Sequence, residues 1–109
     1  MAVGDAPVLE ALIDINAASL ARTELDPRSL MLVRLAALAA VDAPVSSYLL
    51  HVGPSAEAGL TAADAEDVLV AVAPIVGTPR TASAAAKIVE ALELAIELAV
   101  EDAESAQDT

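Results

Sequence analysis

The 109-residue sequence has no cysteine, phenylalanine or tryptophan, and Tyr48 is its single aromatic residue. Without cysteine there is no disulfide framework, no thiolate ligand for a metal and no thiol nucleophile, so thiol redox chemistry is excluded. Basic residues are scarce as well: 5 Lys and Arg stand against 17 Asp and Glu, giving a formal net charge of −12. Such a balance offers no cationic footprint for phosphates, which argues against nucleic acid, and anionic membrane surfaces repel it. Long apolar runs are also missing. A spanning helix needs about 20 mostly apolar residues. Arg34 breaks the run 30–41 and Asp42 stops it, the run 68–79 is too short, and Glu90, Glu93, Glu97 and Glu101 interrupt the last one. The first 21 residues hold Asp5, Glu10 and Asp14 with no basic start, unlike a signal peptide.

What is present is apolar and small. The chain is 57 % hydrophobic, above the roughly 45–50 % usual for soluble proteins. About a quarter of it is alanine, the best helix former, which points to closely packed helices with small side chains at their contacts. This length makes one domain. A domain of this size cannot cover so much apolar surface by itself, so the composition predicts a cytoplasmic protein that associates with copies of itself.

Caps and breakers divide the chain into five helical segments, and no stretch alternates with a strand period, so the fold class is all-α. The first segment runs from about residue 7 to 22. Asp26-Pro27 supplies an N-cap and an N1 proline for the second, 28–41, which is apolar on every side except at Arg34 and reads as an interior helix. The third starts at Pro44 and is interrupted at Gly53-Pro54, with Gly59 as its C-cap. Thr61 and Asp64 form a capping-box pattern for the fourth, which Gly77 closes. Thr78-Pro79 restarts the chain for a fifth segment ending near residue 103, its Glu stripe a solvated face. The expected organisation is an extra N-terminal helix over 1–24, a helical domain over 25–103 and a frayed acidic tail over 104–109.

Within 25–92 the order of motifs is distinctive: Leu25-Asp26-Pro27-Arg28-Ser29-Leu30, an Ala-rich helix, a short segment with His51, then Ala58-Gly59-Leu60-Thr61 and finally Gly77-Thr78-Pro79. This resembles the carboxymuconolactone decarboxylase and alkyl hydroperoxidase D-like superfamily, and the resemblance implies a helical core assembled as trimers or hexamers. In the peroxidase branch a Cys-x-x-Cys precedes a His by four residues, with an acidic relay residue twelve before the first Cys. Anchored on His51, those positions hold Pro44, Ser47 and Leu32. Only the His remains, so the resemblance does not extend to peroxidase activity. The decarboxylase branch, which works without the Cys pair and keeps a His here, is the other likeness, although Gly53-Pro54 departs from its continuous helix.

Four side chains are candidates for chemistry. His51 suits proton transfer near neutral pH, or is a packed His bonded to a backbone carbonyl. Ser47, four residues earlier, shares its face if the helix is regular, but the sequence offers neither an orienting carboxylate nor an oxyanion hole. Arg34 is either a fork for a substrate carboxylate or one half of an intersubunit or intrachain salt bridge, with Glu66 or Asp67 as a candidate partner. Tyr48 either lines the same pocket or belongs to the core. Arg80 reads as a surface residue. No metal site and no cofactor are expected from one His and scattered acids. Two functions follow. One is a non-redox homo-oligomeric binding or structural protein, whose ligand would be a small apolar molecule or a small carboxylate. The other is a cofactor-free lyase, decarboxylase or isomerase acting on a small carboxylate or lactone, with His51 moving the proton.

Overall fold

The computed structural model describes residues 5–107 and contains five helices: α1 (Asp5–Arg22), α2 (Pro27–Ala40), α3 (Val45–Glu57), α4 (Ala62–Val76) and α5 (Thr78–Gln107). No strand occurs among the described residues. Cap chemistry sets most of the boundaries. The Asp26 carboxylate accepts from the Ser29 amide at 3.0 Å and starts α2. Thr61 and Asp64 close a reciprocal capping box at the head of α4. Gly59, at φ +84, ends α3 in a Schellman pair: the Leu60 amide donates to the Ser55 carbonyl and the Gly59 amide to that of Ala56.

The end of α2 uses the same motif with an unusual residue. Asp42 holds φ 51, where glycine or asparagine is the common choice. The Ala43 amide donates to Leu38 and the Asp42 amide to Ala39. Three polar contacts hold this corner. Ser83 Oγ and Lys87 Nζ donate to the Asp42 carboxylate at 2.8 and 3.0 Å, and Arg80 Nη1 donates to the Ala40 carbonyl at 2.9 Å. Arg80 is thus a C-terminal cap for α2 as well as an exposed residue, and its charge sits where the helix dipole favours a cation.

Helices α2 to α5 pack on one another, and α5 has its most extensive contact with α3. The core between them is small: Ala39, Ala43, Tyr48, Leu69, Ala84 and Ala91, ringed by Leu35, Leu38, Val45, Leu49, Val52 and Ile88. Helix α1 makes no close backbone approach to the others among the described residues. Arg34 ties it to α2 by donating to Asn16 Oδ1 at 2.7 Å and Ser19 Oγ at 3.0 Å. The radius of gyration, 15.6 Å, exceeds the roughly 13 Å of a spherical domain of this length.

Several expectations change here. The third helix is not interrupted at Gly53-Pro54: α3 is continuous from Val45 to Glu57 with Pro54 inside it. The missing proline N–H frees the Leu50 carbonyl, but Leu50 and Pro54 both lie on the exposed side, where water can take the lone pair. Helix α2 is not wholly interior, since Val33 is exposed and only Met31 and Ala39 are buried. Helix α5 continues about one turn beyond residue 103, to Gln107; residues 108–109 of the expected tail lie outside the described part. No helix is long and apolar enough to cross a membrane among the described residues.

One ion pair joins three helix ends. Arg28, in the first turn of α2, forks onto the Asp64 carboxylate at 2.8 and 3.2 Å and also reaches the Gly59 carbonyl at 3.2 Å. The same carboxylate accepts from the Thr61 amide at 2.8 Å. The Arg28 bond first, then the Thr61 amide, pulls the Asp64 carboxyl from 3.8 down to about 2. A depressed folded value means the contribution is whole above the ordinary value and drains away as pH falls through the folded one. The stability difference between the wild type and Asp64→Asn, followed by denaturant titration from about pH 5 downward, is therefore expected to shrink between about pH 4 and pH 2. A difference that stays constant over that window overturns this role for the pair.

Candidate functional site

Below the core, α2, α3, α4 and α5 leave a cavity of about 140 Å³. Met31 and Leu35 come from α2, Tyr48, His51, Val52, Ser55 and Ala56 from α3, Ala62 and Ala65 from α4, and Ile88, Ala91 and Leu92 from α5, with Leu60 and Thr61 closing the corner. Ala56, Thr61, Ala62 and Leu92 are exposed and form the mouth. No Asp, Glu, Lys or Arg is among the lining residues. The cavity is apolar except for His51, Tyr48, Ser55 and Thr61, and the Thr61 hydroxyl is already engaged as the cap of α4.

His51 is half-buried on the cavity wall. Its Nδ1 lies 2.7 Å from the Ser47 carbonyl, one turn back on the same helix. That contact fixes the ring and spends one of its two nitrogens on the backbone. Ser47 therefore serves His51 through its main chain, and it does not line the cavity. A Ser47 hydroxyl paired with the imidazole is absent among the described residues.

Tyr48 is 3 % exposed, and its hydroxyl has no hydrogen-bond partner among the described residues. Burial first, and the field of Asp42 second, raise its ionisation above 10.0. It belongs both to the core and to the cavity wall, so the two readings of this residue coincide.

Arg34 lies elsewhere. Its partners are Asn16 and Ser19 on α1, in place of the carboxylate of Glu66 or Asp67 that a salt bridge requires, and it is absent from the cavity lining. Both partners are neutral, and the half-buried guanidinium keeps some contact with water, so no acid is needed to hold it. The structure thus brings His51 and Tyr48 together and leaves Arg34 and Ser47 outside. Leu32 and Pro44, at the other two positions of the peroxidase pattern, are also outside the lining. Ser55 and Thr61 are lining residues that sequence reasoning missed. The spacing of four between His51 and Ser55 places them on one helical face, but only a helix unbroken at Pro54 makes that spacing count.

Among the described residues no group of three or more His, Cys, Asp or Glu side chains could hold a metal ion. The chain matches no curated protein and no solved structure. The model of one family does match, over residues 6–91, which takes in α1 to α4, the whole of α3 with His51, and α5 as far as Ala91. With most of its length covered, and with the five-helix all-α bundle that the motif order anticipates, the chain belongs to the carboxymuconolactone decarboxylase family.

Proposed function

We propose that the protein is a non-redox, homo-oligomeric member of its family that holds a small uncharged molecule in the cavity around His51. The observation that carries the ligand part is the lining: an imidazole set among mostly apolar side chains, with no Asp, Glu, Lys or Arg beside it. A bound carboxylate finds no Lys or Arg there, and only a proton taken up by His51 itself would pair its charge. The absence of cysteine leaves no thiolate to attack a peroxide and no second thiol to resolve the product.

Apolar surface supports the assembly. Helix α1 exposes Val8, Leu9, Leu12, Ile13, Ile15 and Leu20, and α5 exposes Val89, Ile96, Leu98 and Val100. Ile75 is 89 % exposed. Exposed apolar side chains in this number suit an interaction surface, and a second copy of the chain supplies a matching one. Native mass spectrometry of the purified protein tests both parts. A trimer or hexamer carrying a retained small molecule is the expected result, and a clean monomer at micromolar concentration overturns the assembly.

A second reading, a cofactor-free lyase or isomerase, is favoured by the geometry of one side chain. His51 is oriented through Nδ1 and has Nε2 without a partner among the described residues, as a general base requires. In this reading His51 is the proton-transfer group, and Arg34 does not hold the substrate. Turnover of a small lactone that disappears in His51→Gln would establish it.

A further inference from the structure

A carbonyl oxygen has no proton to give, so the contact from His51 Nδ1 to the Ser47 carbonyl places the hydrogen on Nδ1. In the neutral ring Nε2 then carries a lone pair and can only accept. Nε2 has no partner among the described residues. One turn further along α3, Ser55 lines the same cavity, and its hydroxyl both donates and accepts. Most of the remaining wall is hydrocarbon, from residues such as Leu35, Val52 and Ile88; its other polar side chains are Thr61, engaged as the cap of α4, and Tyr48. The cavity volume, about 140 Å³, is close to the roughly 150 Å³ of an engineered apolar cavity that accepts benzene.

We propose that the cavity selects a neutral single-ring molecule bearing a hydroxyl, of the phenol or cyclic-alcohol class. Its O–H donates to Nε2 of His51, its oxygen accepts from Ser55, and its ring fills the hydrocarbon part. This rests on the ligand-binding reading above and narrows it. The donor–acceptor pattern decides among chemistries. A ketone or lactone oxygen only accepts, so it meets the Nε2 lone pair without a proton between them. In the neutral ring a carboxylate meets the same lone pair with a full negative charge, and no Lys or Arg is on the wall to receive it. A hydrocarbon of the same shape fits but leaves Nε2 unpaired.

The test titrates the intact protein with phenol, toluene and benzoate, by calorimetry and by the imidazole ¹⁵N resonances of His51. Phenol is expected to bind about three- to tenfold more tightly than toluene, the worth of a net hydrogen bond, with benzoate weakest. The Nε2 resonance moves with phenol and stays put with toluene. His51→Leu, close to His in volume, brings phenol down to the affinity of toluene while toluene binding persists. Toluene binding as tightly as phenol in the wild type overturns the hydroxyl pairing and leaves the cavity reading standing. Benzoate binding most tightly overturns the neutral-ligand class. Failure of both phenol and toluene to bind overturns the cavity reading itself. If His51→Leu does not fold, the wild-type resonances decide: an Nε2 signal unmoved by saturating phenol overturns the proposal.

Discussion

Tyr48→Phe is expected to make the protein more stable by about 1 kcal/mol, and Tyr48→Ala to cost about 3–5 kcal/mol. The two substitutions separate what the ring does from what the hydroxyl does. The ring is the largest side chain of the core, 3 % exposed and packed among Ala39, Ala43, Leu69, Ala84 and Ala91. Four of those five neighbours are alanines, too short to collapse into the space an absent ring leaves, so the cavity term of Tyr48→Ala is large. Since domains are stable by only about 5–15 kcal/mol in all, that variant loses much of its margin. The hydroxyl is the opposite case. It is buried and has no partner among the described residues, and burying a polar group without a hydrogen bond is unfavourable. Phenylalanine keeps the ring and removes the penalty. Thermal unfolding at fixed protein concentration reads both effects, with a rise of about 5 °C expected for Tyr48→Phe. A fall of that size instead would mean the hydroxyl is satisfied in solution and the packing account is wrong.

The same hydroxyl gives an alkaline signature. Burial and the field of Asp42 raise its folded value above 10.0, so the folded state favours the neutral form. The associated stability is present below the unfolded value and is lost as pH rises through the folded one. Tyr48→Phe lacks that loss, and its advantage over the wild type widens at high pH.

The helix boundaries were legible where the chemistry is local. Asp26 with Pro27, Thr61 with Asp64, and Gly59 each act on backbone groups within three or four residues, and each caps the helix that its sequence signal anticipates. Pro54 was misread because the rule for proline is also local, while what keeps α3 intact is packing: its buried face lies on α5, and the bond that proline forfeits belongs to an exposed stretch. His51 was legible as a candidate because it is the only imidazole in the chain. Its neighbours were not, since four helices and a corner contribute to the wall. Arg34 shows the same limit. Its need for partners was clear, but Asn16 and Ser19 become partners only because the Arg34 side chain reaches from α2 to α1, and no local signal carries that placement. Arg28 stands in a quoted motif, but its ion pair has no local signal: its partner Asp64 is 36 residues away and already accounted for by the capping box.

Alanine content is where composition said most and position least. A quarter of the chain being alanine implied close helix contacts, yet the alanines of α5 differ sharply in burial. Ala84 is 1 % exposed, whereas Ala85 and Ala86 are exposed. Ala84→Leu is therefore expected to cost about 1–3 kcal/mol or more, because the added methylenes force α5 away from the core or strain the side chains facing it. The same change at Ala85 or Ala86 should stay within about 0.5 kcal/mol in the lone chain. Chemical denaturation of the three variants measures this directly. A loss at position 84 matched by equal losses at 85 and 86 would place all three residues in contacts, which a single chain does not provide. Since the helix turns about 100° per residue, three consecutive positions cannot all face the same neighbour within one chain. Equal losses would then have to come from a second copy packed over the outer side of α5, where Val89, Ile96, Leu98 and Val100 are exposed. The series thus tests the core of the bundle and the covering of α5 with one helix and one substitution type.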